Sequence, residues 1–199
     1  MTVPPCPARR RLALAAAFVL AGCAAAPTPP RRLYRLDTTP PAPPAPEPPA
    51  AAEVWALSPT VTLPEYLQRD AILIATDDAR LQSLDGERWA EPLRDALPRV
   101  LRADLERLRG AGSVWLAPLP AGLAAGRLLR LEVTELQAQA SPAGVRCVAR
   151  WSLEDPAGRE PPRAGSAALH EPTAGIGAEE IVRAHRRVLW RLAQLIAAR

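Results

Sequence analysis

Ten of the chain's 24 prolines lie between Pro27 and Pro49. Proline has no backbone N–H and a fixed φ, so such a stretch can neither continue a helix nor take a central place in a sheet. The core must therefore come mainly from the residues after Val54, roughly 145 of them, which is enough for one hydrophobic core.

The residues ahead of the prolines are of a different kind. Arg9, Arg10 and Arg11 form a charged start, and Leu12 to Ala21 is an apolar run. About ten residues cannot cross a bilayer, which takes roughly 20. A charged start, a short apolar stretch and small residues at its end make a secretory signal peptide. Leu20-Ala21-Gly22-Cys23 looks like a lipobox, the recognition sequence of lipoprotein signal peptidases. Small residues fit the protease, and the Cys23 thiol becomes the acyl acceptor at the new N-terminus. Residues 1–22 are thus expected to be removed and the chain held on a membrane through Cys23.

That removal changes the charge balance. The chain carries 25 basic residues, all arginine, and 21 acidic ones. The signal takes three arginines with it, leaving 22 against 21 and a net charge of +1. Nucleic-acid binding loses its electrostatic support. Of the cysteines, Cys6 lies in the signal and Cys23 is acylated, so Cys147 has no intrachain disulfide partner.

Residues 24–31 read as an extended tether with a reach of about 25 Å. Leu33-Tyr34-Arg35-Leu36 is a short apolar island before the proline-rich residues 40–52. It belongs either to one linker from 24 to 52 or to a first strand followed by a stiff loop. Val54 to Leu63 reads as a strand, Leu63 to Leu67 as a turn, and Ala71 to Thr76 as a second strand. Arg80 to Leu84 is its hairpin partner, closed by Asp85-Gly86. Trp89, Leu93, Leu97, Leu101, Leu105 and Leu108 fall on one stripe and predict a helix over 89–108, kinked at Pro98. Ser113 to Leu119, Leu128 to Gln139, Val145 to Leu153 and residues 163–171 read as strands. In Val145 to Leu153, Cys147 alternates with arginines and is expected to face the core. Ala178 to Ala198 is the clearest helix, with Ile181, His185, Val188, Leu192 and Leu195 on its apolar stripe and Glu179 and Glu180 at its positive end. The order predicts an α+β fold, a largely antiparallel sheet with two helices packed on one face.

Two motifs carry a family resemblance. Leu63-Pro64-Glu65-Tyr66-Leu67, then an apolar strand and a polar hairpin, lead to Arg88-Trp89-Ala90-Glu91-Pro92-Leu93. Together with Tyr34-Arg35-Leu36-Asp37 shortly after the acylated cysteine, this resembles the ABC-type transport auxiliary lipoproteins, the PqiC-like family. The resemblance covers nearly all of the mature chain and favours the first-strand reading of 33–36. The resulting division is a signal over 1–22, a lipidated tether over 23–32, and a domain over 33–199 with a proline-rich loop at 38–52. Pro98 and that loop depart from the family's pattern. The resemblance implies a non-enzymatic subunit of an MCE/ABC-type system that moves lipids between the inner and outer membranes. Its partner would be an MCE-domain protein, with no cofactor and with self-association left open. Ala24, where a retention signal would place Asp, is compatible with outer-membrane sorting. A lipoprotein that docks on and regulates a cell-wall synthase is the alternative.

For catalysis the mature chain offers only Cys147, His170 and His185 as obvious groups, and nothing in their spacing pairs them. No His/Cys cluster has metal-ligand spacing. Tyr66, Arg88 and Trp89 have two readings. Trp89 anchors the first helix in the core with Arg88 paired nearby, or the three contribute to a partner-facing patch, where aromatics and Arg dominate the energetics.

The anchor is directly testable. Cys23→Ser removes the acyl acceptor, so fatty-acid labelling of cells should mark the wild type and leave the variant as an unlabelled precursor. Equal labelling would refute the lipoprotein reading.

Overall fold

In the computed structural model the described residues are 30–41 and 53–199. The signal, Cys23, most of the tether and the proline-rich residues 42–52 lie outside them. Arg31–Arg199 forms one compact unit.

The sheet is organised around a long hairpin. β6 (Arg127–Ala140) and β7 (Ala143–Glu154) pair antiparallel from Leu128↔Glu154 to Ala140↔Ala143, and β8 (Arg163–Pro172) continues the meander along β7. Alternation puts Leu129, Leu131 and Val133 of β6 against Leu153, Trp151 and Ala149 of β7, all buried. The register shifts between Val133 and Glu135. That bulge moves the inward positions from odd to even numbers, so that Leu136 and Ala138 still face the core.

The other edge of β6 is divided between two sub-sheets. β2 (Trp55–Leu57) runs parallel to its start, with Trp55 opposite Arg127. β3 (Ala71–Ala75) runs parallel to its end, with Ile74 opposite Ala138. β5 (Val114–Leu116) adds to β2, β4 (Leu81–Trp89) pairs antiparallel with β3, and β1 (Arg32–Tyr34) lies parallel to the end of β4. The eight-stranded sheet is mixed and mostly antiparallel. α1 (Leu93–Arg109) and α2 (Ala178–Ala197) pack on it and on each other, α2 across β7 and β8 and α1 beside β5. The fold is the expected α+β.

Local departures from the sequence reading have physical causes. The strand expected over 54–63 is β2 plus a single bridge from Thr62 to Glu132. The β3–β4 hairpin closes at Thr76–Arg80, where Asp77 Oδ1 accepts from the amides of Ala79 (3.0 Å) and Arg80 (2.7 Å). Asp85-Gly86 lies within β4 instead, at a large bulge where Gly86 takes φ 74°, a conformation open to glycine. Trp89 ends β4 rather than starting a helix. Pro92, with φ −58° and ψ 137°, is the N-cap of α1, whose first residue is Leu93. Pro98 sits within an unbroken α1 and is buried, so its missing N–H costs one bond to the Arg94 carbonyl but does not end the helix. Leu195, expected on the buried stripe of α2, is 42% exposed.

β1 is short, but the residues after it are held firmly. Leu36 is 1% exposed in the core, whereas Leu33 is 67% exposed. Leu36→Ala should therefore cost about 2–5 kcal/mol. Leu33→Ala should stay within about 0.5 kcal/mol. Urea unfolding of both variants checks the contrast. Equal effects would mean that Leu36 does not anchor the domain.

Candidate functional site

The sequence motifs meet in space. Tyr34 lies opposite Trp89, and the Ala90 N–H donates to the Tyr34 carbonyl at 2.7 Å. The Trp89 N–H donates to the Asp70 carbonyl at 2.6 Å, just past the turn formed by Glu65–Gln68. Glu91 pairs with Arg99, whose guanidinium also donates to the Leu36 carbonyl at 2.9 Å. Residues from the island, the turn and the helix start thus form one junction.

Trp89 is its centre. The side chain is 5% exposed and meets the His185 ring edge to face, with centroids 5.2 Å apart at 72°. Such pairs contribute about 0.5–1.5 kcal/mol beyond burial. The His185 Nδ1–H donates to the Ile181 carbonyl at 2.8 Å. Burial pushes the imidazole down to about 4, so it is neutral at pH 7. Arg88, the next residue back on the strand, points the other way. It is half-buried, donates to the carbonyls of Leu84 (3.2 Å) and Glu87 (2.9 Å), and lies 3.9 Å from Asp70.

Tyr66 bridges two hollows. One holds about 10 Å³ between Tyr66, Leu67, Trp89, Leu93 and His185; this is room for about one water. The other is an open polar groove of about 560 Å³, lined by Tyr66, Asp77, Asp78, Glu135, Gln137 and Arg146. Burial and the Glu135 carboxylate raise the Tyr66 phenol, which stays a protonated donor. Glu135 itself accepts from Arg146 at 2.8 Å. The structure thus brings Tyr66 and Trp89 around one hollow and sets Arg88 outside it.

The groups weighed for catalysis are separated by environment. Cys147 is 1% exposed, and burial followed by Glu135 pushes its thiol up to about 12, leaving no thiolate at neutral pH. His170 lies on β8, where its carbonyl accepts from Arg191 at 2.9 Å. Sequence reasoning missed the charged pair that ties the helices together. Asp104 of α1 is fully buried and accepts two bonds from Arg186 of α2, one of them at 2.8 Å. Desolvation pushes this carboxyl up to about 6, against the pull of Arg186. The signal was present in the sequence, as Asp104 falls on the stripe of Leu97, Leu101 and Leu108.

A family model described as the ABC-type transport auxiliary lipoprotein component matches residues 34–197. The chain belongs to this family. That makes it an auxiliary lipoprotein component of ABC-type transport. The match begins at Tyr34 and takes in every residue of the junction just described. Two crystal structures share the family fold. One, of an uncharacterized protein, is 20% identical and covers 85% of this chain and 97% of its own, with a TM-score of 0.67. The other, protein XCC0632 from Xanthomonas campestris, is 13% identical and covers 83% and 92%, with a TM-score of 0.68. No curated protein matches the chain.

The buried imidazole makes stability depend on pH. His185 has a folded pKa of about 4 against 6.5 for the free side chain. Below 6.5 the unfolded chain takes up a proton that the folded chain refuses. This contribution is therefore complete above 6.5 and lost as pH falls towards 4, by about 3 kcal/mol. The raised Asp104 carboxyl works in the opposite sense, its contribution being lost as pH rises through about 6. Because Asp104 is common to both proteins, the stability difference between wild type and His185→Gln isolates the imidazole. Denaturant titrations at pH 7 and pH 4.5 should show the wild type losing ground to the variant at the lower pH. A constant difference would mean that His185 is solvated.

Proposed function

We propose that the chain is a non-enzymatic lipoprotein subunit of an MCE/ABC-type lipid transport system. In this reading an acylated Cys23 holds it on the periplasmic face of the outer membrane. It docks there on an MCE-domain protein, and its action supports envelope integrity. Family membership over residues 34–197 carries the reading, and the lipobox at Leu20 to Cys23 supplies the anchor.

The chemistry of the site supports an adaptor. A hydrolase would need a nucleophile, a base and an orienting group within hydrogen-bond reach. The one thiol of the described residues is buried and protonated. The histidine beside the motif residues is neutral, and its Nδ1–H is committed to a backbone carbonyl. Tyr66 and Arg88 are the half-exposed part of the motif junction and form the partner contact in this proposal. Trp89 acts from beneath, by fixing the strand end that presents Arg88.

An adaptor depends on contact and anchoring, not on a titrating side chain. Cys147→Ala, His170→Ala and His185→Gln, singly or combined, should leave function intact in any variant that still folds. A secreted form without Cys23 should fail although folded, because losing the tether costs about 10²–10⁴ in effective affinity. Complementation of a deletion strain sensitised to detergent reads both. An enzyme is indicated if a folded triple variant loses function while the untethered form keeps it.

A further inference from the structure

From Ala24 to Leu36 the only charged residues are three arginines, Arg31, Arg32 and Arg35. β1 and the residues beside it sort them by face. Even positions turn towards the body of the domain: Arg32 pairs with Glu87 at 3.3 Å, Tyr34 is half-buried and Leu36 is buried. Arg31, Leu33 and Arg35 alternate with these, and all three are exposed. Leu33, at 67%, is the most exposed large hydrophobic side chain of the described residues.

Most arginines of the described residues have a carboxylate within 4.0 Å, but Arg31 and Arg35 have none there. The acidic groups beside the strand are engaged elsewhere. Glu87 is turned to Arg32, and Asp37 accepts from the Thr39 N–H at 3.0 Å and lies 3.9 Å from Arg186 Nε. One exposed leucine means little by itself. A leucine flanked on its own face by two guanidiniums without carboxylates fits a particular neighbour, apolar beneath a layer of negative charge. The boundary between phosphate headgroups and acyl chains has that order. Position in the chain agrees. Residues 24–31 give a reach of about 25 Å from Cys23, so β1 is the element that an acylated Cys23 holds nearest its membrane.

We propose that the outward face of β1 lies on an anionic phospholipid surface, with Leu33 entering the headgroup layer and Arg31 and Arg35 bound to lipid phosphates. The proposal rests on the acylation of Cys23 put forward above. The acylated cysteine keeps the domain at the membrane, and β1 sets which way the domain faces. Tyr34 lies opposite Trp89, whose ring meets His185 of α2, so the helices are on the other side of this strand from Leu33. They are therefore turned away from the lipid. Arg88, opposite Leu33 and one strand further in, stands at the margin of the contact, where a partner bound to it is held close to the membrane surface.

The test uses the full acylated protein in vesicles, with a fluorophore attached at Leu33→Cys and nitroxide-labelled lipid as quencher. Cys147 is buried and Cys23 carries the acyl group, so the new thiol is the one that reacts. In phosphatidylglycerol vesicles the label at 33 should be quenched. The same label at Gln194→Cys, exposed on α2, should not be. An arginine near an anionic surface strengthens binding about fivefold, so Arg31→Gln combined with Arg35→Gln should shift the ratio of apposed to free orientations about 25-fold. Phosphatidylcholine vesicles should abolish the quenching at 33. Flotation with the vesicles reads the anchor separately. Protein that floats yet is unquenched at 33, quenching equal in the two lipids, or quenching untouched by the double substitution would each overturn this proposal alone. Protein that does not float would overturn the acylation of Cys23, and this proposal with it.

Discussion

The charged pair between the helices organises more of the molecule than its size suggests. Asp104 is fully buried, and the Arg186 side chain is 8% exposed. Taking both charges out of water costs several kcal/mol per ion, and the attraction repays this only when the geometry is good. Two parallel N–H···O bonds supply that geometry and fix how α2 lies against α1. The same guanidinium reaches the chain after β1, where Asp37 lies 3.9 Å from Arg186 Nε. Arg99 and Arg107 of α1 donate to the carbonyls of Leu36 and Thr38. A three-residue strand could not hold an N-terminal segment by its ladder bonds alone. Arginines from both helices, with Leu36 sunk in the core, do the rest.

The far side of the proline-rich stretch is held in the same manner. Arg109, two residues after Arg107, stacks over the Trp55 ring at 3.4 Å and donates to the Glu53 carbonyl at 3.0 Å. The Glu53 side chain accepts from the Trp55 indole and pairs with the nearly buried Arg127, each at 3.2 Å. The last turn of α1 thus grips the chain on both sides of a segment rich in proline. This is also how a divided sheet becomes one body. β2 and β3 share the edge of β6 without pairing with each other, and α1 is packed against β5 on one side and the Glu65–Gln68 turn on the other.

Much of the fold was legible because periodicity is a local property. The alternation in β6 and β7 and the stripe of α2 survive folding unchanged, since each element buries the face its own sequence marks. Other features depended on what lies opposite. Asp85-Gly86 is a strong turn signal, but Asp77 caps the hairpin earlier and leaves the glycine to absorb a bulge. Trp89 continues the leucine stripe of α1 in sequence, and only Pro92 reveals that the helix starts later. Leu195 keeps the helical period but is left 42% exposed. The Asp104–Arg186 pair could be suspected from a charge on each apolar stripe, but which charges meet is a tertiary fact. Of the residues singled out as a partner patch, the sequence could not separate the buried Trp89 from the half-exposed Tyr66 and Arg88.

Within the motifs, structural and exposed residues divide the work between them. Leu36, Trp89 and Leu93 are core residues, while Glu91 positions Arg99 and Pro92 caps a helix. The residues that give the chain its family resemblance are thus largely those that build the junction of β1, β4 and α1. A packed junction of this kind tolerates little change, while the surface around it is freer to vary. The positions of this chain that can change without loss of packing are the exposed ones that the motifs carry. Here these include the half-exposed Tyr66 at the rim of an acidic groove and the half-exposed Arg88 of β4. Such surfaces can be altered without the cavity and desolvation penalties that guard the core. The exposed side chains of the motifs can therefore change while stability does not.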